Sequence, residues 1–161
     1  MKARQVTALA SAALAVLAVG CGGSPASSSS SAATATPAST AQVAQSYLSA
    51  TAAVDSAYTT WHADLVAAHG NVLDLASQAA SYSGVLTTFD SKIQGIGASG
   101  KAATDIATLI GDDTTVIADL NLLSSQSTST EAAWDAKALS DGLAAVAQGD
   151  VVRSDLDLPA S

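Results

Sequence analysis

Only one cysteine, Cys21, occurs in the 161 residues, so no disulfide can form within the chain. Glutamate is equally scarce, at Glu131 alone with no histidine three residues on. That excludes the ferritin-like di-iron bundles, which need several inward glutamates and Glu-x-x-His pairs. Basic residues number six against fourteen acidic ones, a formal net charge of −8. Such a surface repels nucleic acid and anionic head groups, so no nucleic-acid partner is expected. There is no G-x-S-x-G turn, no Gly-rich phosphate loop after a strand and no histidine framed by a nucleophile motif. The chain therefore reads as non-enzymatic and implies no cofactor. His62 and His69 lie a heptad apart, roughly 10 Å along a helix axis, too far to share one ion, so no metal site is expected either.

What is present begins at the N-terminus. Lys2 and Arg4 supply two positive charges, and residues 6–19 then run apolar or small without a charge. These are the n-region and h-region of a secretory signal, shorter than the ~20 residues a membrane span requires. Leu17-Ala18-Val19-Gly20-Cys21 resembles the bacterial lipobox, although Ala18 stands where that motif usually has leucine. The resemblance implies that residues 1–20 are cleaved and that Cys21 carries acyl chains. Lipidation also accounts for a lone thiol in an exported protein. Cleavage removes two of the six basic residues and leaves four against fourteen acidic ones, a net charge of −10. The acyl chains, not a basic patch, would then hold the protein on the outer face of the cell membrane.

Residues 21–40 contain little besides Gly, Ser, Ala, Thr and two prolines. Nothing there is large enough for a core, so the stretch reads as a tether with a root-mean-square span of roughly 25 Å. From residue 41 the pattern changes. Ala44, Tyr47, Thr51, Val54, Tyr58, Trp61, Leu65 and Ala68 follow at alternating steps of three and four, the stripe of an amphipathic helix over 41–69 that Gly70 ends and after which Asn71 caps the next. Val72, Leu75, Ala79, Tyr82, Leu86, Phe89, Ile93 and Ile96 repeat the pattern. A third helix over 101–123 turns Ile106, Leu109, Ile110, Val116, Ile117, Leu120 and Leu123 inward. Thr128 and Glu131 match a capping box ahead of a fourth helix ending near residue 154, whose inner face is assigned to Ala132, Ala136, Leu139, Leu143 and Val146, with Val152 and Leu156 extending the stripe. The expected fold is all-α, an antiparallel four-helix bundle over 41–156 with a tail at 157–161.

Few side chains stand out as candidate sites. Asp113 falls where the third stripe calls for an apolar residue, so Asp112-Asp113 could aim a carboxylate between helices at a cation or a partner's base. The preferred expectation is a kink at Gly111 that turns both to water, because inward charges are rare unless paired. Asp105, Asp112 and Asp119 recur every seven residues and read as a solvated face. Tyr58, Trp61, Tyr82 and Trp134 could line a ligand groove, but aromatic residues at core spacing are first read as core. Trp134, in the first turn of its helix, is the one expected to be partly exposed.

The layout resembles the small alanine-rich lipoproteins of actinobacteria: a lipobox, a Ser/Thr/Ala/Pro tether, a helix opening with Tyr47-Leu48, and a tail similar to Leu/Val-Arg-x-Asp-Leu-Gly-Leu-Pro. Here the tail is Val152-Arg153-Ser154-Asp155-Leu156-Asp157-Leu158-Pro159, with Asp157 replacing the glycine and weakening the case for a turn there. The resemblance implies an exported cell-envelope protein and carries no activity. Two roles follow as expectations: an interaction or structural module presenting an acidic face to an envelope protein or wall component, or a carrier of a small apolar ligand between its helices. A solidly packed core favours the first, and a continuous cavity beside Tyr58, Trp61, Tyr82 and Phe89 favours the second.

Overall fold

Ser39 opens the helical domain. Its Oγ accepts the backbone N–H of Gln42 at 3.3 Å, while Gln42 Oε1 accepts the backbone N–H of Ser39 at 2.9 Å. This reciprocal cap starts the first helix, α1, at Thr40–Ala67, within what the composition assigned to the tether. The computed structural model describes residues 38–69 and 71–160; the signal segment, Cys21 and most of the tether lie outside the described residues. α1 stops two residues earlier than its stripe suggested, because His69 takes a left-handed φ of 52° and its N–H turns back to the Val66 carbonyl at 3.1 Å.

The second segment starts as a 3-10 turn at Val72–Leu75 and becomes α2 at Ala76–Gln94. Asn71 Nδ2 donates to Asp74 Oδ2 at 2.6 Å, so the Asn71 side chain holds a side chain instead of capping a backbone N–H. Gly97 and Gly100 adopt φ of 75° and 60°, left-handed values that let the chain turn into α3, Gly100–Leu122. The threonine pairs, poor helix formers by propensity, are accommodated by bonding back one turn: Thr59 Oγ1 donates to the Asp55 carbonyl at 2.8 Å, Thr87 to Ser83 at 2.9 Å and Thr114 to Ile110 at 2.7 Å.

The last helix, α4, spans Glu131–Asp155. The expected Thr128/Glu131 capping box does not form. The turn over residues 127–130 takes Thr130 as N-cap and uses its Oγ1 to accept the Ser127 N–H at 3.0 Å, so Glu131 becomes the first helical residue, too early to reach back. At the other end the tail does turn. Asp157 adopts φ 56°, its N–H reaches the Ser154 carbonyl at 3.2 Å and the Leu158 N–H reaches Arg153 at 2.8 Å, the paired bonds of a Schellman cap. Asp157 does the work of a glycine, and Leu158 packs against the core.

Four helices make up the fold, and the described residues contain no strand. Side-chain pairings give the neighbours: Tyr47 of α1 meets Phe89 of α2, Ser83 of α2 meets Asn121 of α3, and at opposite ends of the α3–α4 pair Lys101 meets Asp155 and Asp119 meets Lys137. Two apolar clusters fill the interior. One gathers Tyr47, Phe89, Ile93, Ile106, Leu109, Val152 and Leu156 at the end where α1 begins. The second gathers Val72, Leu75, Leu86, Leu120, Leu123 and Trp134 at the other, with Trp61, Leu65 and Tyr82 only half-buried beside it.

The inner face assigned to α4 is a correction. Leu139, Leu143 and Val146 are 63%, 61% and 57% exposed, and Ala132 and Ala136 are also exposed. Trp134 and Ala145 are buried instead, while Val152 and Leu156, which extend the expected stripe, are buried as expected. The true stripe lies two residues on for much of its length, about 200° around the helix. It was hidden because polar residues share it. Lys137 donates to Asp119 at 2.7 and 2.9 Å and to Asp141 at 2.6 Å, and Gln148 Nε2 donates to the Asp105 carbonyl at 3.0 Å. The aspartate row on α3 is corrected with it. Asp119 is buried and Asp105 and Asp112 are half-buried, because the row faces neighbouring helices and not bulk water.

Candidate functional site

The displaced apolar stripe of α4 is one wall of a cleft. Leu139, Leu143 and Val146 face Tyr58, Trp61 and Leu65 from the second half of α1, and Tyr82, Val116, Leu120 and Trp134 form the floor, around a space of about 350 Å³. Trp61 and Tyr82 stack with ring centroids 6.4 Å apart and planes 17° from parallel, which gives the cleft a flat aromatic side. Trp134 is held by a 2.8 Å hydrogen bond from its indole Nε1 to the Asp119 carbonyl. It is buried, and the partial exposure left open for it from sequence is not realised, because that bond and the Lys137–Asp119 ion pair draw the first turn of α4 onto α3. Tyr58 stands at the rim, 54% exposed, with its ring 6.3 Å from His62.

A second hollow of about 150 Å³, no more enclosed than the cleft, adjoins it towards Tyr47. The two share Tyr82, Val116, Gly142 and Val146 as lining. A Cβ added at Gly142 would meet nothing within 4 Å, so the missing side chain leaves open space where the chambers share a wall. Phe89 and Leu109 are apolar lining of this second hollow, and Asp55, Asp113 and Arg153 bring ionisable groups to it.

Asp113 is the chemical exception in this interior. α3 runs unbroken through Gly111, so the expected kink is absent and the helical period carries Asp113 inward, where it is only 5% exposed; Asp112 is half-buried and borders neither chamber. Asp113 lies against Asp90 of α2, close enough for the two carboxyls to share one proton. Burial, reinforced by Asp90 and Asp112, pushes the Asp113 carboxyl up to about 8. Asp90 is raised as well, by burial. Asp90 Oδ1 and Asp113 Oδ2 are buried and receive no bond from any other N–H or O–H donor, which leaves the shared proton to serve the pair. The phenols of Tyr47 and Tyr82 are each pushed up to about 12, chiefly by burial, and both feel the Asp113 charge.

No family model, curated protein or solved structure matches the chain. The site is therefore judged on its residues. Of the positions singled out from sequence, the fold brings Tyr58, Trp61 and Tyr82 together in the cleft and places Asp113 in the chamber beside them. Cys21 lies outside the described residues. Sequence reading missed Asp90, whose spacing is that of a solvated residue, and the cleft wall on α4, which it had assigned to the core. Among the described residues no three of His, Cys, Asp and Glu converge as a metal ion requires, and no helix is long and apolar enough to cross a membrane.

Proposed function

We propose that the chain is an exported lipoprotein, anchored on the outer face of the cell membrane through acyl chains on Cys21, whose helical domain is a non-enzymatic carrier of a small, mainly apolar ligand. The observation that carries this reading is the aromatic-walled cleft of about 350 Å³ between α1 and α4. Its size falls within the roughly 300–1,000 Å³ of small-molecule sites, and its lining is apolar with a few polar groups, the usual composition of such sites. Of the two roles open from sequence, a module with an acidic face and a carrier, the cleft favours the carrier. The anchor rests on the lipobox-like residues 17–21, and the Schellman turn at Asp157 supports the likeness of the tail to those of actinobacterial lipoproteins.

The experiment is a titration of the purified protein with N-phenyl-1-naphthylamine, whose fluorescence rises in apolar surroundings. Saturable binding that is lost in Gly142→Leu, where the new side chain occupies the shared wall, and in Leu143→Asp supports the carrier. Binding equal in the parent and both variants, or none in any, sinks it. Intact mass of the membrane-extracted protein tests the anchor separately, through acyl chains on Cys21 that disappear with Cys21→Ala.

A further inference from the structure

We propose that the ligand of the cleft is a flat aromatic ring system without an acidic group, laid against the indole of Trp61 with the leucines of α4 on its other side. The inference rests on the carrier reading and adds the chemical class of the ligand. It starts from where the chain spends its aromatic residues. The sequence holds only two tryptophans, three tyrosines and one phenylalanine. Both tryptophans and two of the tyrosines, Tyr58 and Tyr82, border the same cleft of about 350 Å³. Core packing does not call for them there. Tyr58 is exposed and Trp61 and Tyr82 are half-buried, whereas the buried core is mostly aliphatic. The rings are also fixed in advance: Trp61 and Tyr82 stack with planes 17° from parallel, and the indole N–H of Trp134 donates to the Asp119 carbonyl. A flat ligand entering the cleft meets aromatic surface that needs no further ordering.

Shape and charge narrow the class. Across from Trp61, Leu139 and Leu143 offer aliphatic surface, so the cleft has one flat aromatic side and one softer side. An alkyl chain gains there only from leaving water. A ring system of similar hydrophobicity gains ring stacking besides, and as a rigid body it has few rotamers to lose. Acids are selected against. The lining contains no lysine or arginine, and its ionisable side chains other than the tyrosines are His62 and Asp135, both exposed to water. A carboxylate or phosphate carried inside would lose its hydration with no counter-charge to replace it.

The test uses calorimetric titration of the whole purified chain with three probes: 2-naphthylmethanol, 1-octanol as a flexible alcohol of similar hydrophobicity, and 2-naphthoate as the acid counterpart. The expected result is the naphthyl alcohol bound about tenfold tighter than octanol and about tenfold or more tighter than naphthoate. Trp61→Leu keeps the cleft apolar while removing the platform, and is expected to bind the two alcohols alike with octanol affinity unchanged. Trp61→Phe, which restores a ring, recovers the preference. Octanol bound by the parent as tightly as the naphthyl alcohol, or a ring preference that survives Trp61→Leu, overturns the aromatic class and leaves an apolar carrier standing. A preference lost as fully in Trp61→Phe as in Trp61→Leu overturns stacking as its source. Naphthoate bound as tightly as the alcohol overturns the selection against acids. Binding of no probe by the parent overturns the carrier reading and the ring class together.

Discussion

The two ends of the bundle solve the packing of α1 differently. Where α1 begins, Val43, Ala44, Tyr47 and Ala50 are all buried, and the Tyr47 hydroxyl reaches 3.9 Å from where a Cβ of Gly149 on α4 would stand. Where α1 ends, Val54, Trp61, Leu65 and Ala68 are half-buried, Tyr58 is exposed, and the facing residues of α4 are Leu139 and Leu143, exposed in turn. Small residues on α4, Ala145 and Gly149, let a tyrosine close the first end. At the second end both helices offer large apolar side chains to a shared space that neither fills. The first end is the better buried, and the second keeps its large side chains around open space.

The largest effect that separates the ends is truncation in the closed one. Tyr47→Ala removes a buried ring and is expected to cost about 3–5 kcal/mol, measured by urea unfolding. Trp61→Ala, at the open end, is expected to cost about 1–2 kcal/mol, because the side chain is only half-buried and borders open space. Equal losses at both would erase the distinction.

A second, smaller effect is pH-dependent and belongs to Asp113. Burial and Asp90 raise its carboxyl from 3.8 to about 8, so the folded protein keeps a proton that the unfolded chain releases as pH passes about 4. The stability from this group is full below about pH 4 and is lost as pH rises towards about 8, at no more than about 1.4 kcal/mol per pH unit. Relative to the parent, Asp113→Asn should gain stability as pH rises from about 5 to about 8, read as a midpoint difference between parallel urea titrations. A difference that stays flat across this range contradicts the buried carboxyl pair.

Smallest are two backbone changes. Gly142→Ala should stabilise α4 by about 0.5–1 kcal/mol, since the glycine is inside a helix and its Cβ direction is open. Asp157→Gly should add a similar increment, about 1 kcal/mol or less, by relieving the left-handed conformation of the Schellman cap. Thermal melts of both variants check these values. A destabilised Gly142→Ala would mean that the wall between the chambers is already filled.

The stripes of α2 and α3 were legible in sequence because their inner positions are almost wholly apolar: Leu75, Ala79, Leu86, Phe89 and Ile93 sit where period and hydrophobicity agree. α4 was not, because Lys137, Asp141 and Gln148 lie towards its neighbours while Leu139 and Leu143 face the cleft, so hydrophobicity pointed away from the core. The start of α1 was legible but overlooked, since Ser39-Thr40-Ala41-Gln42 spells a capping box inside a Ser/Thr-rich run. Asp113 was visible as an irregularity; its partner Asp90 was not, because a pairing across two helices depends on their register. The aromatic residues of the cleft were weighed as a groove but read first as core, and their convergence with the outer stripe of α4 is a tertiary fact.

The most direct test of an open, ligand-taking end is methyl chemical-shift mapping of the labelled protein during titration with 1-octanol. Shifts confined to Leu139, Leu143, Val146 and Val116, with Val43, Ile93 and Val152 unmoved, are the result this account predicts. Shifts spread evenly over both ends, or none at saturating octanol, would contradict it.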